Sequence, residues 1–111
     1  MNQLVITNSI IIDRPKGSSH PWFPESIYPL DYGYLENTTA SDGGGIDVWI
    51  GSIKITEHST TDELLTGILC TFDTLKNDAE IKFLIGCTNE EVEIIRGFHR
   101  EMHILLVPTP W

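Results

Sequence analysis

A chain of 111 residues, 41% hydrophobic and with a formal charge of -9 at pH 7, is long enough for one hydrophobic core and too short for two. That charge argues against bare nucleic acid or an anionic membrane as partner, because both would repel it. The segment from Met1 to Ile12 has no basic flank and no apolar run long enough to span a bilayer, so one cytoplasmic domain covering residues 1–111 is expected.

In chain order, Leu4 to Ile6 and Ile10 to Ile12 are short β-branched runs separated by Thr7-Asn8-Ser9, the pattern of a hairpin or an interrupted strand. Two prolines and a glycine between Asp13 and Pro21 make a loop that carries Arg14 and Lys16. Trp22 and Phe23 follow, and packing at the end of a barrel is expected of them rather than stacking on a ligand. From Ile46 to Ile55 the chain alternates, with Ile46, Val48 and Ile50 on one face and Asp47 and Trp49 on the other. Asp47 therefore points into a pocket or into solvent. Glu57 to Asp62 reads as a polar surface link, and Leu64 to Phe72 as a buried strand. After a turn over Asp73 to Asp78, Ala79 to Ile85 resumes as a strand with Glu80 and Lys82 on the face opposite Ile81 and Phe83.

Thr88-Asn89-Glu90-Glu91 has the spacing of a capping box, in which the Thr88 hydroxyl caps the helix and Glu91 reaches back to the Thr88 amide. Val92, Ile95, Phe98 and Met102 then recur at helical spacing, which predicts an amphipathic helix across one side of the sheet. Ile104 to Val107 ends the chain as a short strand or extended tail. Cys70 and Cys87 match no zinc spacing and read as buried free thiols, with a single disulfide the alternative. Short strands, frequent turns and one late helix point to a mainly β fold, an OB-type five-stranded Greek-key barrel with a C-terminal α-helix packed on it. An exposed Trp49 or Trp111 would favour a homo-oligomer.

The stretch from Tyr28 to Asp47, YPLDYGYLENTTASDGGGID, stands apart from this pattern. Three consecutive glycines bury nothing and suit a tight turn or a close ligand. Asp42 and Asp47 flank them as oxygen ligands of the kind that hold a hard cation, Mg²⁺ above all. The plainer alternative is a turn whose aspartates bond their own backbone. Asp73 and Asp78 have the same five-residue spacing. If both turns reached one end of a barrel, four carboxylates would converge there and would need cations to offset their repulsion.

Tyr28-Pro29-Leu30-Asp31-Tyr32-Gly33-Tyr34 followed by Asp42-Gly43-Gly44-Gly45-Ile46-Asp47-Val48 resembles the signature of the family I soluble inorganic pyrophosphatases. Asp13-Arg14-Pro15-Lys16-Gly17-Ser18 is similar to an N-terminal segment of that family, and Asp73 and Asp78 to its later aspartate pair. The resemblance implies Mg²⁺-dependent hydrolysis of pyrophosphate to two phosphates by a metal-activated water. Asp42, Asp47, Asp73 and Asp78 would be the metal ligands, with Asp47, Tyr32 and Asp42 at the reaction centre. Tyr28, Lys16, Lys82 and Arg100 would bind substrate, Arg100 within His99-Arg100, which is loosely similar to a Tyr-Lys pair of the family. The pattern departs from the family at Gly44, where an aspartate beside the attacking water is expected, and at Glu80, where a lysine stands in the family. The segment from Trp22 to Tyr28 is also shorter and lacks a phosphate-binding lysine and arginine, for which His20, Lys16 or Arg14 are the candidate replacements. Two further readings follow: hydrolysis of another phosphoanhydride such as a nucleotide, or a metal-, phosphate- or nucleotide-binding module with weak or absent turnover.

Overall fold

The computed structural model describes residues 10–39, 43–53, 65–74, 77–99 and 103–108. Their backbone is organised by one six-stranded sheet built from β1 (Ile10–Arg14), β2 (Asp31–Leu35), β3 (Ile46–Ile50), β4 (Leu65–Asp73), β5 (Asp78–Ile85) and β6 (His103–Pro108), with helix α1 (Asn89–Phe98) between β5 and β6. The strands lie in the order β1-β2-β3-β5-β4-β6. Only β3 and β5 pair in parallel, while the other four neighbouring pairs are antiparallel. The fold is mainly β and OB-like, with six strands where five were expected. The expected strand at Leu4 to Ile6, the link at Glu57 to Asp62, Met102 and Trp111 all lie outside the described residues.

Alternation along the strands buries both faces of the sheet. Leu35, Val48, Ile68, Phe83 and Ile85 form a core on one face. On the other, Tyr32, Trp49, Leu69 and Leu84 pack with Tyr28 and Leu30 from the preceding loop and with Ile95 from α1. Trp49 is therefore wholly buried, and the association expected of an exposed Trp49 loses its basis. Burying an apolar side chain of this size stabilises the fold by roughly 2–3 kcal/mol.

The sequence also passes over β2, because Asp31, Gly33 and the nearby Pro29 are poor strand formers. A close approach explains the glycine. A Cβ on Gly33 would stand 1.8 Å from the Ile11 carbonyl oxygen, so only glycine lets β1 lie against β2.

Helix α1 begins as its sequence requires. Thr88 accepts from the Glu91 amide at 3.2 Å and donates its own amide to Oε1 of Glu91 at 2.9 Å. The same carboxylate accepts from the Ser52 amide at 3.0 Å, tying the exit of β3 to the first turn of the helix. These bonds hold Glu91 below the usual carboxylate range despite some burial. Both cysteines are free, and burial pushes the Cys87 thiol up to about 12.

Candidate active site

A cleft of about 900 Å³ opens beside the second core, between β2, β3 and β5, the end of α1 and the loop after β1. Its floor is set by strand register. Asp47 lies opposite Tyr34 on β2 and opposite Lys82 on β5, while Tyr32 lies opposite Trp49. Glu80 and Lys82 alternate onto the same face of β5.

The Lys82 ammonium is the hub. It donates to the Tyr32 hydroxyl at 2.7 Å, to Oδ2 of Asp47 at 3.1 Å and to Oε2 of Glu80 at 3.0 Å. Burial alone would lower its pKa, but Tyr32, Asp47 and Glu80 outweigh that and hold the ammonium above its ordinary range. Burial also raises the Tyr32 hydroxyl, which therefore stays protonated and hydrogen-bonds Asp47 as well as Lys82.

A second cation reaches the cleft through an irregularity. The register of β1 against β2 shifts between Ile12 and Arg14, which turns Arg14 rather than Asp13 opposite Tyr32. Arg14 Nη1 donates to the Tyr28 hydroxyl at 2.5 Å. Period-two alternation cannot reveal such a shift, so strand pattern alone does not bring Arg14 to this wall.

Tyr28 closes a small hairpin: Gly17 donates to the Tyr28 carbonyl, Tyr28 to Ser18, and His20 to Ser26, each at 2.8–2.9 Å. Its ring packs on Tyr32, Trp49 and Phe98 with centroids 5.0–5.8 Å apart. Trp22 and Phe23 sit at the hairpin tip and line the cleft mouth. They are 81% and 58% exposed, contrary to the packing expected of them. His99 closes the inner wall. Its Nε2 accepts from the Trp49 indole at 3.2 Å, and burial pushes its pKa down to about 3, with Lys82 adding to the effect. The imidazole is therefore neutral with its proton on Nδ1.

Of the residues expected in a site, Tyr28, Tyr32, Asp47 and Lys82 meet at this cleft. Lys16 does not line it; its amide donates to Oδ1 of Asp31 at 2.8 Å, which shapes the loop. Asp73 and Asp78 pair across the β4–β5 hairpin. Because β3 and β5 are parallel, that hairpin and the glycine loop entering β3 reach the same end of the sheet, and Asp78 shares a face with Glu80 and Lys82. Asp78 stands four positions before Lys82, about 13 Å along a strand. Asp42 and Arg100 lie outside the described residues. Arg14, His20, Glu80 and His99 also line the cleft. Of these, Arg14 and His20 were visible in sequence only as substitutes for missing cations.

Neither a protein-family model nor a curated protein matches this chain. A solved inorganic pyrophosphatase from the pathogenic bacterium Helicobacter pylori does, over 90% of this chain and 80% of its own, with a TM-score of 0.53 and 14% sequence identity. This chain shares the pyrophosphatase fold. At that identity the likeness carries the fold and not the reaction.

The pyrophosphatase family implies a divalent metal, and the donors can be tested for one. Mg²⁺ asks for oxygen ligands in near-octahedral array at about 2.0–2.1 Å. Oxygen donors are present, but among the described residues no three of Asp, Glu, His or Cys stand close enough to share an ion. Oδ2 of Asp47 is already held by Lys82. Asp42, one of the four expected ligands, lies outside the described residues.

Proposed function

We propose that this chain binds pyrophosphate, as its magnesium complex, in the cleft and hydrolyses it to two phosphates. The reading is supported by one observation above the rest: on the pyrophosphatase fold, Tyr28, Tyr32, Asp47 and Lys82 line a single cleft. An acidic chain would repel bare pyrophosphate, whereas Mg²⁺ characteristically reaches a protein on substrate phosphates with one or two carboxylates completing its shell. Here the ion belongs to the substrate.

Arg14 and Lys82 offset charge on the phosphoryl oxygens, and the Tyr28 and Tyr32 hydroxyls orient them. Asp47 accepts the proton of the attacking water as its oxygen bonds to phosphorus. The bridging P–O bond breaks, and the departing phosphate takes up a proton from solvent.

A second reading, binding without turnover, is favoured by the Lys82–Asp47 contact, because Lys82 already occupies the Oδ2 of Asp47 that would take a proton from water. Phosphate release and calorimetric binding with Mg²⁺ separate the two. Hydrolysis that Asp47→Asn abolishes while binding survives supports catalysis. Binding without release selects the second reading, and neither binding nor release overturns both.

A further inference from the structure

The cleft has two chemically distinct halves, and inorganic pyrophosphate accounts for only one of them. Its floor carries Arg14, the Lys82 ammonium paired with Asp47 and Glu80, and the hydroxyls of Tyr28 and Tyr32. Its mouth carries Trp22 and Phe23, 81% and 58% exposed. At about 900 Å³ the cleft falls within the range of sites that enclose a ligand of many ring and chain atoms, roughly 300–1,000 Å³. Two phosphoryl groups leave most of that space and the whole aromatic mouth unused.

The mouth is also built rather than loose. Ser26 donates to the Phe23 carbonyl and His20 to the Ser26 carbonyl, both at 2.8 Å, and Ser19 pairs with Ile27 across the hairpin. The Trp22 amide donates to Nδ1 of His20 at 3.1 Å, and the His20 ring lies 5.2 Å from that of Phe23. The hairpin thus presents a large indole to solvent, on a backbone fixed to the wall that holds Tyr28. An exposed aromatic on a braced turn beside a floor that carries Arg14, and Lys82 balanced by Asp47 and Glu80, suits a ligand with a flat ring at one end and magnesium-bound phosphates at the other. Glu25 and Ser26 on the same rim supply acceptors for sugar hydroxyls or ring amines.

We infer that the cleft selects a nucleoside diphosphate, with the base on Trp22 and Phe23 and the diphosphate at Arg14 and Lys82. This inference rests on the phosphoanhydride reading of the floor and adds the part of the ligand the floor does not see.

The test is calorimetric titration of the full chain with ADP and with inorganic pyrophosphate, each with Mg²⁺, repeated for Trp22→Ala and Trp22→Phe. ADP is expected to bind at least about tenfold more tightly than pyrophosphate, a preference that Trp22→Ala removes and Trp22→Phe largely keeps, in line with the cost of losing one stacked base. Equal binding of the two ligands, or a preference indifferent to Trp22→Ala, overturns the inference while leaving pyrophosphate binding intact. A Trp22→Ala chain that changes its sedimentation but not its ADP affinity assigns the mouth to a second copy of the chain and also overturns it. Failure to bind either ligand removes the phosphoanhydride reading and the inference together.

Discussion

The Lys82 ammonium lies 3.1 Å from Oδ2 of Asp47, across the parallel pairing of β3 and β5. A side chain only 5% exposed carries that charge, so its desolvation must be offset by partners, and Asp47, Glu80 and Tyr32 supply the compensation. Removing the cation leaves two carboxylates facing each other. Lys82→Met is therefore expected to cost roughly 3 kcal/mol of stability, because breaking a buried pair strands its partners. The carboxylates then become a cation site: Mg²⁺ should raise the melting temperature of Lys82→Met more than that of the unaltered chain. Thermal unfolding with and without Mg²⁺ reads both effects, and equal responses would mean that Asp47 and Glu80 do not face a common point.

The glycine loop entering β3 offers a second test. Gly44 stands where the resemblance implies an aspartate beside the attacking water, and its φ is not in the positive range that restricts side chains. A missing general base costs on the order of 10²- to 10⁴-fold in rate. Gly44→Asp is therefore expected to raise the steady-state rate of phosphate release from pyrophosphate at least tenfold, at the low end of that range or below it because Gly45 leaves the loop less constrained. An unchanged rate would assign proton removal to Asp47 alone.

Period-two alternation in β3 and β5 set the faces on which Asp47 and Lys82 stand but left Asp47 open between a pocket and solvent, and the capping box at Thr88 set the start of α1. Three features escaped local periodicity for separate physical reasons. Trp49 shares a face with Asp47, which in an open sheet would be wet; here α1 and residues 28–30 cover that face, a tertiary fact with no local signal. Arg14 reaches the cleft through a register shift that alternation cannot express. His99 enters the site at the end of α1, where helical spacing marks Ile95 and Phe98 but not a residue in the cap, so only its loose likeness, with Arg100, to a Tyr-Lys pair of the pyrophosphatases pointed to it.

Gly33 tests the close pairing of β1 and β2. A methyl group there would meet the Ile11 carbonyl oxygen at 1.8 Å and the Ile12 Cα at 2.9 Å, both backbone atoms that cannot swing aside. Gly33→Ala should destabilise the chain by about 3 kcal/mol, the upper end of overpacking costs. Because Arg14 and Tyr32 are register partners on these strands, ligand affinity should fall with stability. Chemical denaturation combined with pyrophosphate titration checks the pair of effects; a stable Gly33→Ala chain would contradict the observed register.

The buried His99 makes stability depend on acid. In the folded chain its pKa lies near 3, lowered first by burial and then by Lys82, whereas in the unfolded chain it returns to about 6.5. The unfolded state therefore takes up a proton that the folded state refuses. Stability is full above pH 6.5 and is lost as pH falls from there toward 3, by about 2 kcal/mol at pH 5. His99→Gln keeps an acceptor for the Trp49 indole, which donates to His99 at 3.2 Å, but cannot titrate. Urea unfolding between pH 7.5 and 4.5 should show a shallower acid limb for His99→Gln than for the unaltered chain. Parallel limbs would show that His99 is already protonated in the fold, and would remove the neutral imidazole from the inner wall of the cleft.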